Sequence, residues 1–390
     1  MSSASPQVAP APPPNAKPGN QLVAKLQRFW QRVSEGLELS QLWSQFSADA
    51  RASYRLYERD VQAQTPHEVR KRGFWNTLQA FSWAILEKLT PARRVLLLLG
   101  VLLLIFPGFS FRNNSGDLVD IDFHFVGGAL LFILLVLEIA DRVVMKRDLE
   151  IARDIQRWLL PASPPQVPGL QVAFATRPAN TVAGDFYDVF ARPVTGPGQP
   201  NFLIAVADVA GKSIPAALLM ATFQASLKTL SETSCSLPEL VTAMNHYACT
   251  NSQSGLRFTT AFLAELNPAS RALHYINAGH NTPILRRSSG AIERLSNGGL
   301  PLGMWADKSY DAGHLTLQPG DWLVIFTDGV IEAVNGRDEE YGEQRMLNVL
   351  QAGVTATPEE LIRRMMSDLD AFVGATPQHD DVTCMLLKTT

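Results

Sequence analysis

Seventeen consecutive residues from Val95 to Phe111 (VLLLLGVLLLIFPGFSF) carry no charge, and Phe123 to Leu137 (FHFVGGALLFILLVL) is nearly as apolar before Glu138 interrupts it. A chain must bury such runs or place them in lipid, and a bilayer core of about 30 Å takes roughly 17 to 25 apolar residues per helix. Arg93 and Arg94 precede the first run, while Arg142, Lys146 and Arg147 follow the second. The segment between them holds Asp117, Asp120 and Asp122 against Arg112. Basic outer flanks place both ends on the cytosolic side, so a two-helix transmembrane hairpin over 93–141 in the cytoplasmic membrane is expected, with residues 142–390 in the cytosol. The competing reading is a buried hairpin in a soluble domain.

The hairpin divides two unlike regions. Residues 1–160 sum to +4 and residues 161–390 to −7 in a chain of 390. Residues 1–20 hold six prolines and few charges or large apolar groups, which predicts a disordered tail. From 21 to 92, apolar and aromatic residues at helical spacing, such as Leu22, Leu26, Phe29, Trp30 and Val33, predict amphipathic helices in a cytosolic region. Trp30, Trp43, Trp75 and Trp83 fit either the core of those helices or anchors at a membrane interface. Arg142 to Leu160 reads as a linker helix whose stripe of Met145, Leu149, Ala152, Gln156 and Leu159 has coiled-coil spacing, spoiled at Gln156. A homodimer through the spans and this helix is a further expectation. Pro161, Pro164, Pro165 and Pro168 then mark a domain boundary.

The region 161–390 alternates between short apolar runs and helical patterns without the regular succession of strand and helix that a parallel sheet needs. Strands are predicted at 170–175, 202–207, 262–266, 273–277, 322–326 and 382–387, and helices at 214–230, 238–247 and 358–372. Several strands follow one another between Arg257 and Phe326, which argues for antiparallel pairing and an α+β layered domain. An overall charge of −3 removes the electrostatic footprint of a nucleic-acid binder. Three cysteines with no metal-ligand spacing support neither a zinc site nor a disulfide framework.

Within this domain acidic residues recur beside glycine or at the ends of apolar runs: Gly184-Asp185-Phe186-Tyr187-Asp188, Ala207-Asp208, Thr327-Asp328-Gly329 and His379-Asp380-Asp381-Val382. A strand end fixes a carboxylate on rigid backbone, and carboxylates that converge there repel one another unless a hard divalent cation is bound. Mg²⁺ and Mn²⁺ take such oxygen ligands. The Gly211-Lys212-Ser213 sequence is not a P-loop, because the pattern needs glycine where Val206 stands. No G-x-S-x-G elbow is present, and His280 reads as a hydrogen-bonded turn residue near the site.

The segments LEIARDIQRWLLP (149–161), GDFYDVF (184–190), VADVAGKSIPAALLMA (206–221), NAGHNTP (277–283), GLPLG (299–303), FTDGVIEAVN (326–335) and HDDVT (379–383) resemble the bacterial metal-dependent serine/threonine phosphatases of the protein phosphatase 2C superfamily. The resemblance is to the branch of stage II sporulation protein E and the sigma-factor regulator phosphatases. It covers about 149–390 and implies an αββα sandwich holding two Mn²⁺ or Mg²⁺ ions. It also implies that Asp208 bridges both ions, the Val209 carbonyl and Asp185 serve the second, and Asp328 and Asp380 hold the first. The implied activity is hydrolysis of phosphoserine or phosphothreonine by a two-metal-activated water. The implied partner is a phosphorylated regulator of the anti-sigma-factor-antagonist type. Ala183 departs from a glycine common in the family, and Ala210 stands where the eukaryotic branch has a histidine. The alternative is a catalytically inactive scaffold that binds a partner through the same fold.

Overall fold

The computed structural model describes residues 86, 89–106, 108–112, 118–193, 199–251 and 257–390. The expected tail over 1–20, and the tryptophans at 30, 43, 75 and 83, lie outside the described residues, as does nearly all of the helical region 21–92. The chain divides into two compact units, Met1–Glu138 and Ile139–Thr390.

In the first unit, α1 (Pro91–Ile105) is followed by an antiparallel ribbon of β1 (Phe109–Arg112) and β2 (Leu118–Ile121), then by the first part of α2 (His124–Leu159). The helices approach closely where both carry glycine. A Cβ added at Gly127 would stand 2.9 Å from the Gly100 carbonyl oxygen, and one at Gly100 would meet the Leu131 side chain at 2.8 Å. Arg93 pairs with Glu138 at 3.3 Å.

Among the described residues no helix is long and apolar enough to cross a membrane. This overturns the expected two-span hairpin. It equally overturns the cytoplasmic-membrane placement, the membrane as a partner and the homodimer built through spans. The physical reason lies in length and charge. With 15 residues, α1 reaches only about 22 Å at 1.5 Å per residue, and its uncharged run ends in β1, at Phe109 to Phe111, rather than in the helix. With 36 residues α2 is long enough, but its apolar stretch ends at Glu138 and charged residues recur from there onward.

The second unit is an αββα sandwich, as the resemblance implies. Its first sheet runs β10-β7-β6-β5-β4, with β11 also paired to β7; its second runs β3-β13-β12-β8-β9. The strands of the first are β4 (Phe186–Ala191), β5 (Phe202–Val209), β6 (Thr259–Leu266), β7 (Ala272–Ala278), β10 (Gly298–Gly299) and β11 (Gly313–Thr316). Those of the second are β3 (Leu170–Arg177), β8 (Ile284–Arg286), β9 (Ile292–Arg294), β12 (Trp322–Phe326) and β13 (Val382–Thr389). Among the described strand pairs of this unit only the short contact of β10 with β7 is parallel, beside one isolated parallel bridge between Ala261 and Gly279, so the antiparallel expectation holds.

Side chains alternate across a strand, and here the alternation separates three cores. Ile204, Val206, Phe262 and Tyr275 of the first sheet pack between the sheets with Leu323, Ile325, Met385 and Leu387 of the second. The intervening Leu203, Ala205 and Ala207 face α3 (Ser213–Ser231) and α4 (Leu237–Asn251) through Met220, Phe223, Leu240 and Met244. Trp322, Val324 and Phe326 face α6 (Gly342–Ala352) and α7 (Pro358–Val373) through Met346, Leu350, Leu361 and Met365. Both faces of β5 and β12 are therefore buried, which is why these strands read as continuous apolar runs rather than alternating ones. The start of α7 is fixed by a capping box in which Thr357 and Glu360 satisfy each other's backbone N–H groups, with Pro358 in the first turn. Five strands of this unit lie outside the expected ones: β4, whose acidic GDFYDVF sequence lacks a plain apolar run, and β8, β9, β10 and β11, which are only 3, 3, 2 and 4 residues long.

Candidate metal centre

Each sheet delivers carboxylates to one edge of the sandwich. Asp185 immediately precedes β4, and Asp208 lies near the end of the neighbouring β5, opposite Thr260 of β6. From the second sheet, β12 leads through Thr327 into the short helix α5 (Asp328–Ile331), while Asp380 and Asp381 lead into β13. The end of β12 and the start of β13 are adjacent, with Thr327 N donating to Thr383 O at 3.0 Å.

Two hydrogen-bond systems tie the sheets together at this edge. The Thr327 hydroxyl donates to Asp185 Oδ2 at 3.0 Å and accepts from Thr383 N at 2.9 Å. The Asp381 carboxylate accepts from Gly184 N at 2.6 Å and Ala179 N at 2.7 Å, fastening the loop before Asp185 to the second sheet. Glycine is required at Gly329, where a Cβ would fall 2.0 Å from the Asp381 carbonyl oxygen; at Gly184 the packing is tight, a Cβ standing 3.1 Å from the Val209 carbonyl oxygen.

The electrostatics show that these carboxylates act on one another. Burial, then the Asp208 charge, hold the Asp185 carboxyl well above the usual carboxylate range, and its residue is only 2% exposed. Burial and the neighbouring Asp328, Asp380 and Asp381 push Asp208 up to about 7. Asp328 is raised by burial and by Asp380. Lys212 opposes this repulsion, pairing with Asp380 Oδ2 at 3.0 Å and donating to the His379 carbonyl at 2.6 Å.

Among the described residues no group of three or more His, Cys, Asp or Glu side chains stands arranged to hold an ion. The donor set nevertheless fits a hard divalent cation by its chemistry: it is all oxygen, it is mutually repulsive, and part of it is buried. Of the five residues singled out from sequence, Asp208, Asp328 and Asp380 influence one another directly, and Asp185 joins them through Asp208. The Val209 carbonyl lies beside Gly184. His280 is buried in its turn, where burial pushes its pKa down to about 4. Its ring Nδ1 lies 3.1 Å from the Thr260 hydroxyl, and Asn277 clamps its backbone through bonds of 2.7 and 3.0 Å.

Sequence reasoning assigned no role to Thr327 or Asp381, although the Thr-Asp-Gly and Asp-Asp contexts would have nominated both. It also read Gln156 only as a flaw in a heptad stripe. In the structure Gln156 is buried, donating to Ala183 O at 2.7 Å and accepting from Ala183 N at 3.0 Å.

Comparison with known proteins agrees with this architecture. Residues 198–390 match the family Stage II sporulation protein E (SpoIIE). The chain is 29% identical over 307 residues to Protein IcfG of Synechocystis sp., a match covering 70% of this chain and 47% of that protein. It is 28% identical over 247 residues to phosphoserine phosphatase RsbU of Bacillus subtilis, covering 63% of this chain and 70% of RsbU. The chain thus spans about half the length of IcfG and most of RsbU. Among solved structures, the SiaA-PP2C domain of Pseudomonas aeruginosa shares the fold, with a TM-score of 0.56 at 21% identity over 64% of this chain and 99% of that one. The sandwich unit of this chain is accordingly related to the branch of protein phosphatase 2C-superfamily phosphatases that contains SpoIIE, RsbU and RsbP.

Proposed function

We propose that this chain hydrolyses phosphoserine or phosphothreonine on a phosphorylated partner-switching regulator of the anti-sigma-factor-antagonist type, using two Mg²⁺ or Mn²⁺ ions. The family supports a phosphatase acting on such regulators. The observation that carries the metal reading is the convergence of carboxylates at the sandwich edge, where burial and then the charges of Asp328, Asp380 and Asp381 raise Asp208 to about 7, with Lys212 as counter-charge.

Asp185, Asp208, Asp328, Asp380 and the Val209 carbonyl would hold the ions. When bound, such ions supply an activated water near neutral pH and neutralise charge on the phosphoryl group. The chain's own residues set the stage for this. Thr327 keeps Asp185 aimed along the sheet junction. Asp381 holds Gly184 and Ala179, so the loop bearing Asp185 cannot drift from the second sheet. Lys212 pairs with Asp380, and a cation held by that carboxylate would compete with this pair and leave the ammonium available to a phosphate.

The Lys212–Asp380 pair is also the one feature that favours the alternative, an inactive scaffold whose carboxylate is neutralised internally. Assaying the full chain on a phosphoserine peptide, with Mn²⁺ and with chelator, separates the two. Turnover that requires the metal supports the phosphatase; none at any Mn²⁺ concentration leaves the scaffold.

A further inference from the structure

Far from the carboxylates, two histidines face each other across adjacent strands. Strands β7 and β11 are antiparallel and pair His274 directly with His314. Both residues are exposed. Their Nδ1 atoms are 3.1 Å apart, with ring centroids 4.5 Å apart and planes inclined at 85°. The register is held by a packing constraint. A Cβ at Gly313 would fall 2.2 Å from the Tyr275 ring, so glycine there lets β11 lie against β7 and brings His314 opposite His274.

That nitrogen separation has a chemical meaning. Two metal–imidazole bonds of about 2.1 Å set the nitrogens about 3.0 Å apart at a right angle and about 3.4 Å apart at the tetrahedral angle. The observed 3.1 Å falls inside this range. The backbone therefore already supplies the spacing of a two-nitrogen chelate. On the same sheet face Glu265 of β6 stands opposite His274, but Arg192 and Asn201 occupy its two oxygens at 3.0 and 2.8 Å. Water would fill the remaining coordination positions.

We propose that His274 and His314 form a surface binding site for one transition-metal dication, of the Zn²⁺, Ni²⁺ or Cu²⁺ class. Imidazole nitrogen suits these borderline ions, whereas the oxygen-only carboxylate edge suits Mg²⁺ and Mn²⁺. The two sites are separated along β6. Thr260 is the neighbour of Asp208 and Glu265 the neighbour of His274, and five residues of strand span about 17 Å. The chain would thus sort hard and borderline cations onto opposite ends of one sheet.

The test uses the untagged full-length chain in excess Mg²⁺, titrated with Cu²⁺ and read by calorimetry and electron paramagnetic resonance. One equivalent should bind, with hyperfine coupling from two imidazole nitrogens. His274→Ala and His314→Ala should each weaken binding about tenfold or more, His274→Gln should do the same, and Asp208→Asn should leave it unchanged. Circular dichroism checks that the variants keep their fold. Wild-type affinity in any histidine variant, loss of the site in Asp208→Asn, or a signal from fewer than two nitrogens would overturn the proposal.

Discussion

The two sheets of the sandwich contribute to the same edge in different ways. The first sheet brings Asp185, almost fully buried, and Asp208, raised to about 7. The second brings Asp328 and Asp380 to more accessible positions, and Asp380 already has a cation in Lys212. Between them lie Thr327 and Asp381, which belong to the second sheet but bond the loop of the first. Burial and repulsion raise Asp208 on the first sheet and Asp328 on the second, but the counter-charge, Lys212, sits with the second alone.

That asymmetry is broken most sharply by removing one carboxylate from each sheet. Asp208→Asn and Asp380→Asn should each lower Mn²⁺-dependent phosphatase activity on the order of 10³-fold at moderate Mn²⁺. Raising Mn²⁺ should partly rescue Asp380→Asn and leave Asp208→Asn inactive. Steady-state rates against Mn²⁺ concentration decide it, and equal rescue would dissolve the distinction between the sheets.

A second effect concerns protons. His280, in the first sheet's turn, falls from 6.5 to about 4 on burial, so the unfolded chain takes up its proton first. Its contribution to stability is present above 6.5 and is lost as pH falls toward 4, by about 3 kcal/mol. Asp208 runs the other way. Raised from 3.8 to about 7, its stabilising contribution is present below 3.8 and lost as pH rises toward 7 in the absence of metal. Comparing wild type with His280→Asn by denaturant unfolding in chelator isolates the histidine. Between pH 6.5 and 4 the wild type should lose about 3 kcal/mol more than the variant.

Smaller again is Thr327→Val. It removes the donor to Asp185 and leaves the Thr383 N–H without its acceptor, at a cost of about 2 kcal/mol in chemical denaturation. The weakest perturbation is Gln156→Ala, which unpairs both backbone groups of Ala183 and should cost about 1 to 2 kcal/mol by the same assay. A neutral result for Thr327→Val would show that the sheets meet without this tie.

Much of the sandwich was legible because its strands bury both faces: 322–326 is a strand with the expected bounds, and 202–207 extends only to Val209. Asp208, Asp328 and Asp380 stand out in the sequence because each lies at or near the end of such a run, whereas Asp185 stands out only beside Gly184, since the strand it precedes has no plain apolar run. The bonds that link the sheets were not, since Thr327 and Asp381 act on residues 142 and 197 positions away and no local pattern encodes that reach. The apolar run at 95–111 misled for a physical reason: composition measures how much of a segment shuns water, not how long its helix is. The helix stops at Ile105, where the run still has six residues to go.

Gln156 presents Ala183 with the same donor and acceptor that a neighbouring peptide group would offer. Turning α2 by one residue, about 100° about its axis, would carry that amide away and strand two buried backbone groups at once. The second-unit part of the helix therefore sits in a notch. The two bonds share one side-chain amide, so a rotation of the helix would cost both together rather than one after the other, and smaller movements would be passed on to Ala183 and the loop before Asp185.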